Sequence, residues 1–305
     1  MKVLVTGGAG KLGARVVESL VRKGHRVDVF DLPNADYSFV GALPNVQLCR
    51  GDMANLEQLK PVCGEVDVVL HLAAILPPWS EKDPEKTMLV NATGTENVVK
   101  ALESTSHAPL VFSSSVSVYG RTQGERTPIA TNHTLVPTDH YSKSKIAAED
   151  AVRRSRLKYT ILRISGVYAA EPFEFPSPVQ FKAEQRVEFV AKEDVVSALV
   201  ASLEGRIAGN IFNIAGGESW RMSGECFVAK VFEAFGAQGE VDYPAEYGYF
   251  DWYDTEDSER LLRYQNTSFP QFKEKLAKVF QSPGQHTNTS PNNFLSSTLG
   301  SVQPI

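Results

Sequence analysis

The chain has 305 residues, 42% hydrophobic and 22% charged, with a formal net charge of −5. That length can bury one large core or two smaller ones, and the acidic balance excludes an electrostatically driven nucleic-acid binder. No uninterrupted apolar stretch approaches membrane-spanning length. Three widely spaced cysteines, Cys49, Cys63 and Cys226, fit buried thiols in a reducing compartment, not a disulfide framework or zinc site. A strand begins at once, without a basic, apolar leader. The expectation is a cytoplasmic protein with no metal, nucleic-acid or membrane partner.

The first thirteen residues read MKVLVTGGAGKLG. Val3, Leu4 and Val5 make a short apolar run, as in a strand covered on both faces. Thr6 to Gly10 cannot continue it. From Leu12 the period becomes helical, with Leu12, Val16, Val17, Leu20 and Val21 on one face. Between strand and helix, Gly7, Gly10 and Gly13 are spaced G-x-x-G-x-x-G. Gly7 and Gly10 permit a strained turn and the close approach of a pyrophosphate, and Gly13 lets the helix lie against the strand. The helix N-terminus adds free N–H groups and partial positive charge. The second run, Arg26 to Asp31, ends on a carboxylate 18 residues past Gly13. That is near the offset of about 20 at which an acid meets a ribose. Asp31 would accept hydrogen bonds from both ribose hydroxyls and repel a 2′-phosphate, which favours NAD over NADP. Lys11 is the one nearby cation that would suit NADP.

Strands and helices then alternate. Val46–Cys49 reads as a third strand, followed by Gly51, Asp52 and Met53, with Leu56 and Leu59 in a short helix. Val66–Leu72 is a fourth strand ending at Ala73 and Ala74. Thr87–Ser104 is a long helix. Pro109–Phe112 opens a fifth strand that ends in Ser113, Ser114 and Ser115. Tyr141–Arg156 is a helix and Tyr159–Ile164 a sixth strand. Alternation of this kind predicts an α/β fold, a doubly wound parallel sheet with right-handed crossovers and a ligand at the carboxyl ends of its strands. Beyond Tyr168 the texture changes to a Pro- and Phe-rich loop over 171–180, a strand over 187–190, a helix over 193–203, a strand over 210–214, and helices over 226–235 and 272–280. The expected organisation is a dinucleotide-binding domain over 1–170 and a smaller α+β substrate-binding region over 171–280, interleaved with the first. A disordered tail is expected over 281–305, which holds no charged side chain.

Tyr141 and Lys145 lie four apart at a helix start and share a face. An adjacent ammonium would lower the phenol's pKa and make it a usable proton acceptor near neutrality. Such a pair by itself is common on helix surfaces. Ser115 gives it weight, because a hydroxyl at the end of the preceding strand could hold a substrate oxygen. One group orients the oxygen, one moves the proton, and a cation tunes the second.

Together these residues resemble an extended short-chain dehydrogenase/reductase of the NAD-dependent epimerase/dehydratase group. The pieces that carry the resemblance are Thr6–Gly13, Asp31, Gly51-Asp52-Met53, His71-Leu72-Ala73-Ala74, Asn91 in Val-Asn-Ala-Thr-Gly-Thr, Ser113–Gly120, Tyr141 with Lys145, and Leu162-Arg163. They cover residues 1 to about 170 in the group's order. The resemblance implies a Rossmann-type core with NAD as cofactor. Asp52 and Met53 would hold the adenine. Ala73 and Ala74 would line the nicotinamide-ribose side, and Lys145 would also bind the ribose. Tyr141 would be the acid/base, with Ser115 as its partner. His71 is expected to be structural, and Asn91 to brace the fold or a water. Homodimerisation through the helices of Asn91–Ser104 and Tyr141–Arg156 is also implied.

The departures bear on substrate. Nucleotide-sugar members carry an Asn-Val-Tyr-Gly-Pro-like run where this chain has Gly166-Val167-Tyr168-Ala169-Ala170. Lys182 and Arg186 are the only cations expected near a diphosphate, which wants such partners. Ile75–Trp79 and the loop with Phe173 and Phe175 suit a small, partly apolar substrate, or else are lid-packing residues. The preferred reading is an NAD-dependent oxidoreductase acting at a secondary alcohol or ketone of a small non-nucleotide substrate. The alternatives are a sugar or nucleotide-sugar epimerase/dehydratase and a non-catalytic dinucleotide sensor.

Overall fold

Buried apolar triplets dictate the central layer. In the computed structural model, which describes residues 1–171, 178–203, 207–236 and 241–281, Val3, Leu4 and Val5 of strand β1 (Lys2–Thr6) are wholly buried. β1 pairs in parallel with β2 (Arg26–Asp31) on one side and β4 (Val68–His71) on the other. The sheet grows outward to β3 (Val46–Arg50) beyond β2, and to β5 (Leu110–Ser115), β6 (Tyr159–Ile164) and β10 (Ile211–Ile214) beyond β4. The seven strands run in the order β10-β6-β5-β4-β1-β2-β3, all parallel. The winding reverses between β3 and β4, so the switch point lies between β1 and β4, where a crevice opens at the strand ends. This is the expected Rossmann-type doubly wound sheet. Its last strand, β10, comes from the stretch read as the second region.

Two helical layers cover the sheet. On one face α1 (Lys11–Arg22) and α8 (Lys192–Ala201) bury Val16, Val17, Leu20, Val195, Ala198 and Leu199. On the other, α3 (Leu56–Cys63), α6 (Gly94–Glu103) and α7 (His140–Arg154) bury Leu59, Val98, Leu102, Ala148 and Val152. A third core holds Phe189, Trp220, Phe227, Phe269 and Phe272, within α9 (Gly224–Phe235), α11 (Phe269–Gln281) and the strands beside them. These strands form two short sheets. β8 (Arg186–Glu188) pairs antiparallel with β11 (Arg221–Ser223), and β7 (Val167–Tyr168) pairs parallel with β9 (Val190–Ala191). The single strand expected over 187–190 is therefore split at Phe189, whose ring enters the third core.

Other departures are local. The long helix expected over 87–104 contains a π turn at Met88–Thr93 between α5 (Pro84–Thr87) and α6, and this turn carries Asn91. Helices α2 (Ser38–Gly41), α4 (Trp79–Lys82) and α10 (Glu256–Leu262) had no strong apolar period to announce them. Phe173, Phe175 and residues 282–305 lie outside the described residues.

A buried carboxylate ties α7 to the sheet. Glu149 accepts from Ser114 Oγ at 2.6 Å, from Arg163 Nε and Nη2 at 2.9 and 2.7 Å, and from Arg153 Nη2 at 2.9 Å. Burial alone would raise its pKa, but Arg163, Ser114 and Arg153 hold it below the ordinary value. Removing one partner strands the other charge. Arg163→Met should lower unfolding stability in urea by about 3–5 kcal/mol, and Arg163→Met with Glu149→Leu should recover part of that loss.

Candidate active site

Why the first turn must be glycine is visible in the space around it. Gly7 has φ +70°, and a Cβ there would sit 2.7 Å from the Ala73 nitrogen. A Cβ on Gly13 would lie 2.1 Å from the Gly7 carbonyl oxygen, so α1 could not approach β1 as it does. Gly10 meets only the Gly7 oxygen, at 3.2 Å, and lines the open side. α1 starts with no side-chain cap, which leaves its first N–H groups to be satisfied from the cleft.

That cleft, about 1350 Å³, runs along the carboxyl ends of the strands. Gly7, Gly10, Lys11, Leu12, Gly13, Asp31, Asp52, Met53, Ala73, Ala74, Ser115, Tyr141 and Lys145, the residues singled out from the sequence, all line it. Asp31 ends β2 at one extremity. Its carboxylate accepts from the Ala9 N–H at 3.0 Å and the Leu32 N–H at 2.9 Å, which uses two of its roughly four acceptor positions. Asp52 holds the Ala54 N–H at 2.9 Å. Buried Met53 has its carbonyl fixed by the Asn97 amide at 3.0 Å, and a Cβ on Gly94 would press its Cε at 2.9 Å. An uncapped helix start, glycines open to the cleft and a carboxylate with acceptors to spare fit a dinucleotide with an unphosphorylated ribose.

Three successive serines at the end of β5 organise the opposite wall. Ser113 donates its hydroxyl to the His71 carbonyl at 3.0 Å and accepts Lys145 Nζ on its own carbonyl at 2.7 Å. Ser114 binds Glu149. Ser115 accepts the Ser117 N–H at 3.1 Å and lines the cleft beside Tyr141. Lys145 Nζ lies 5.9 Å from the Tyr141 ring centroid.

The electrostatics correct the expectation of a lowered phenol. Burial raises the Tyr141 pKa well above that of free tyrosine, and the neighbouring Ser115 hydroxyl only partly opposes this. Burial also pushes the Lys145 ammonium down to about 7, against the pull of the Glu149 carboxylate. Lys145 is drawn to the Ser113 carbonyl instead of the phenol oxygen. Tyr141 therefore rests as a proton donor.

His71 and Asn91 brace the site from behind. Thr95 donates to the Asn91 carbonyl at 2.6 Å and so accepts from His71 Nε2 at 2.9 Å, which leaves Nδ1 to accept from Thr6 at 2.6 Å. The Asn91 side chain pairs with both backbone groups of Ile75, at 2.7 and 2.9 Å, and donates to Ser144 at 3.0 Å. It holds the loop after β4 against α7. Sequence reading missed Glu81, whose carboxylate accepts the N–H groups of His140 and Tyr141, both at 3.1 Å, at the start of α7. Some 60 residues separate the partners, so no local pattern could reveal it.

Beyond Tyr141 the cleft is lined by Tyr168, Phe181, Phe189, Tyr249 and Phe250. Of the cations expected near a diphosphate, Arg186 is bound to buried Asp251 at 2.7 and 3.0 Å, and Lys182 to Glu184 at 2.9 Å. Neither lines the cleft. Among the described residues no cluster of His, Cys, Asp and Glu could hold a metal, and no helix is long and apolar enough to cross a membrane.

Sheet order, switch-point cleft and glycine turn define a doubly wound α/β protein with its ligand cleft at the strand ends. The NAD dependent epimerase/dehydratase family matches residues 3–182, more than half of the chain, and the chain belongs to that family. It is 31% identical over 179 residues to a UDP-glucose 4-epimerase of Halalkalibacterium halodurans, covering 56% of this chain and 52% of the relative. It is 29% identical over 197 residues to the human sterol-4-alpha-carboxylate 3-dehydrogenase, decarboxylating, covering 61% and 50%. The match thus spans about half the length of these curated relatives. Among solved structures, a Thermotoga maritima UDP-glucose 4-epimerase with UDP-glucose superimposes with a TM-score of 0.78 at 21% identity, covering 92% of this chain and 98% of the other. An Agrobacterium tumefaciens short-chain dehydrogenase/reductase superfamily protein with bound NAD gives 0.77 at 22%, covering 92% and 97%.

Burial lowers the His71 pKa from 6.5 to about 3, with the Lys145 charge adding to the effect. As pH falls below 6.5 the unfolded chain takes up this proton first, so stability present above 6.5 is lost toward about 3. His71→Gln should show a smaller change in urea midpoint across that window than the wild type.

Proposed function

We propose that this protein is an NAD-dependent oxidoreductase that interconverts a secondary alcohol and a ketone on a small, largely apolar, non-nucleotide substrate. The observation that carries this reading is one continuous cleft. It has the glycine turn and Asp31 at one end, Ser115, Tyr141 and Lys145 on its wall, and at the other an aromatic chamber from which Lys182 and Arg186 are paired away. NAD, which the glycine turn and Asp31 would hold, would supply the hydride chemistry at the carbinol carbon. The chain does the rest. Ser115 fixes the substrate oxygen, and Tyr141 Oη exchanges the proton with that same oxygen. Lys145 supplies a positive charge behind the phenol, held in place by the Ser113 carbonyl. With the phenol protonated at rest, Tyr141 is ready to donate to a ketone oxygen, and alcohol oxidation runs the same proton path in reverse.

Similarity to UDP-glucose 4-epimerases favours a second reading, a nucleotide-sugar epimerase in which the reduced cofactor stays bound. Net release of NADH supports the first reading, and a retained cofactor without net reduction supports the second. The homodimer expected through α6 and α7 belongs to this proposal, and sedimentation showing only monomer at micromolar concentration removes it.

Tyr141→Phe should lower kcat by about 10²–10⁴-fold while NAD affinity, followed by quenching of tryptophan fluorescence, stays near the wild-type value. Asp31→Ala should narrow the preference for NAD over NADP, read as the ratio of the two dissociation constants. An unchanged ratio would remove Asp31 from the ribose site.

A further inference from the structure

The segment 247–253 bears no motif, yet it is among the most firmly pinned parts of the cleft wall. Wholly buried Gln185 donates to the Gly248 and Phe250 carbonyls at 3.1 and 2.8 Å and accepts the Gly248 N–H at 2.9 Å. Gln123 donates to the Phe250 carbonyl at 3.0 Å. Tyr253 Oη donates to the Tyr249 carbonyl at 3.2 Å, and Asp251, buried in its ion pair with Arg186, fixes the backbone beyond. A Cβ on Gly248 would fall 2.1 Å from the Gln180 carbonyl, so the loop lies directly on its neighbour.

This frame delivers one polar side chain to the aromatic chamber. Tyr249 lines the cleft and stands against Phe250 with ring centroids 4.5 Å apart. Tyr141 lines the same cleft. Loss of water around it raises the pKa of Tyr249, and it stays an O–H donor at any physiological pH. Among the described residues that hydroxyl has no hydrogen-bond partner, although the Tyr249 carbonyl does. A substrate that fills the chamber displaces water from this half-buried hydroxyl, and one whose only oxygen was the reacting one would leave the donor unmatched, which is costly.

We infer that Tyr249 is a specificity-determining residue whose phenol donates to a second oxygen of the substrate, a hydroxyl or carbonyl carried on an otherwise apolar skeleton. The inference rests on the oxidoreductase reading above and extends it to a substrate class. It also places the specificity contact outside residues 3–182, the stretch that the family matches.

The test compares cyclohexanone with 4-hydroxycyclohexanone as probes, using the full chain loaded with NADH. Wild-type kcat/KM should favour the hydroxy-ketone by about tenfold, the worth of one well-made neutral hydrogen bond. Tyr249→Phe should erase that preference by raising KM for the hydroxy-ketone alone, with kcat and NADH affinity unchanged. Equal losses on both ketones, or no preference in the wild type, overturn the inference. Binding of the two probes, read by tryptophan fluorescence, separates it from the reading beneath it. If neither ketone is turned over but the binding preference exists and disappears in Tyr249→Phe, the oxidoreductase reading falls and the Tyr249 contact stands. If binding shows no preference, the Tyr249 contact falls.

Discussion

A single ionised carboxylate, shut away from solvent, governs the catalytic wall. Glu149 can remain charged there only because one hydroxyl and two guanidinium groups surround it. Those donors come from β5, α7 and β6, so satisfying one charge fixes three elements relative to one another. Ser114 is the crucial link. Of its neighbours on either side, Ser113 holds Lys145 and Ser115 lines the cleft beside Tyr141, and the strand cannot shift without disturbing both. Two turns of α7 thus carry the phenol, the ammonium and the anchor in succession at positions 141, 145 and 149, all facing the end of β5.

The same wall shows how burial and proximity compete. Spacing on a helix suggests that an ammonium tunes a phenol. In the folded chain both groups are desolvated, the ammonium is turned to a carbonyl, and the cost of charging the phenol dominates. Position can be inferred from a four-residue interval, but acid strength cannot, because it depends on how much water the rest of the fold removes.

That contrast runs through the whole molecule. The sheet, the glycine turn and the Ser–Tyr–Lys grouping were legible because each is written locally: apolar triplets for covered strands, glycines where a Cβ would collide, a serine run at a strand end. Asp31 was legible from its distance along the chain. Glu81 and Gln185 were not, since their partners lie far away in sequence and neither belongs to a periodic pattern. Tyr249 went unnoticed for a related reason: its surroundings are irregular loop, held by side chains from elsewhere. The split at Phe189 came from tertiary demand, where one ring was worth more in an aromatic core than in a continuous strand.

The cleft is built from two unequal parts of the chain. Asp31, Ser115, Tyr141 and Lys145 come from before residue 170, whereas Phe181, Phe189, Tyr249 and Phe250 come from later segments. These later groups rest on their own aromatic core and their own polar clasps, largely independent of the sheet. Such a division separates selectivity from reactivity. The downstream segments could be remodelled to admit a differently shaped molecule while Ser115, Tyr141 and Lys145 stayed mechanically undisturbed, so one chassis could be refitted by exchange of its far wall alone.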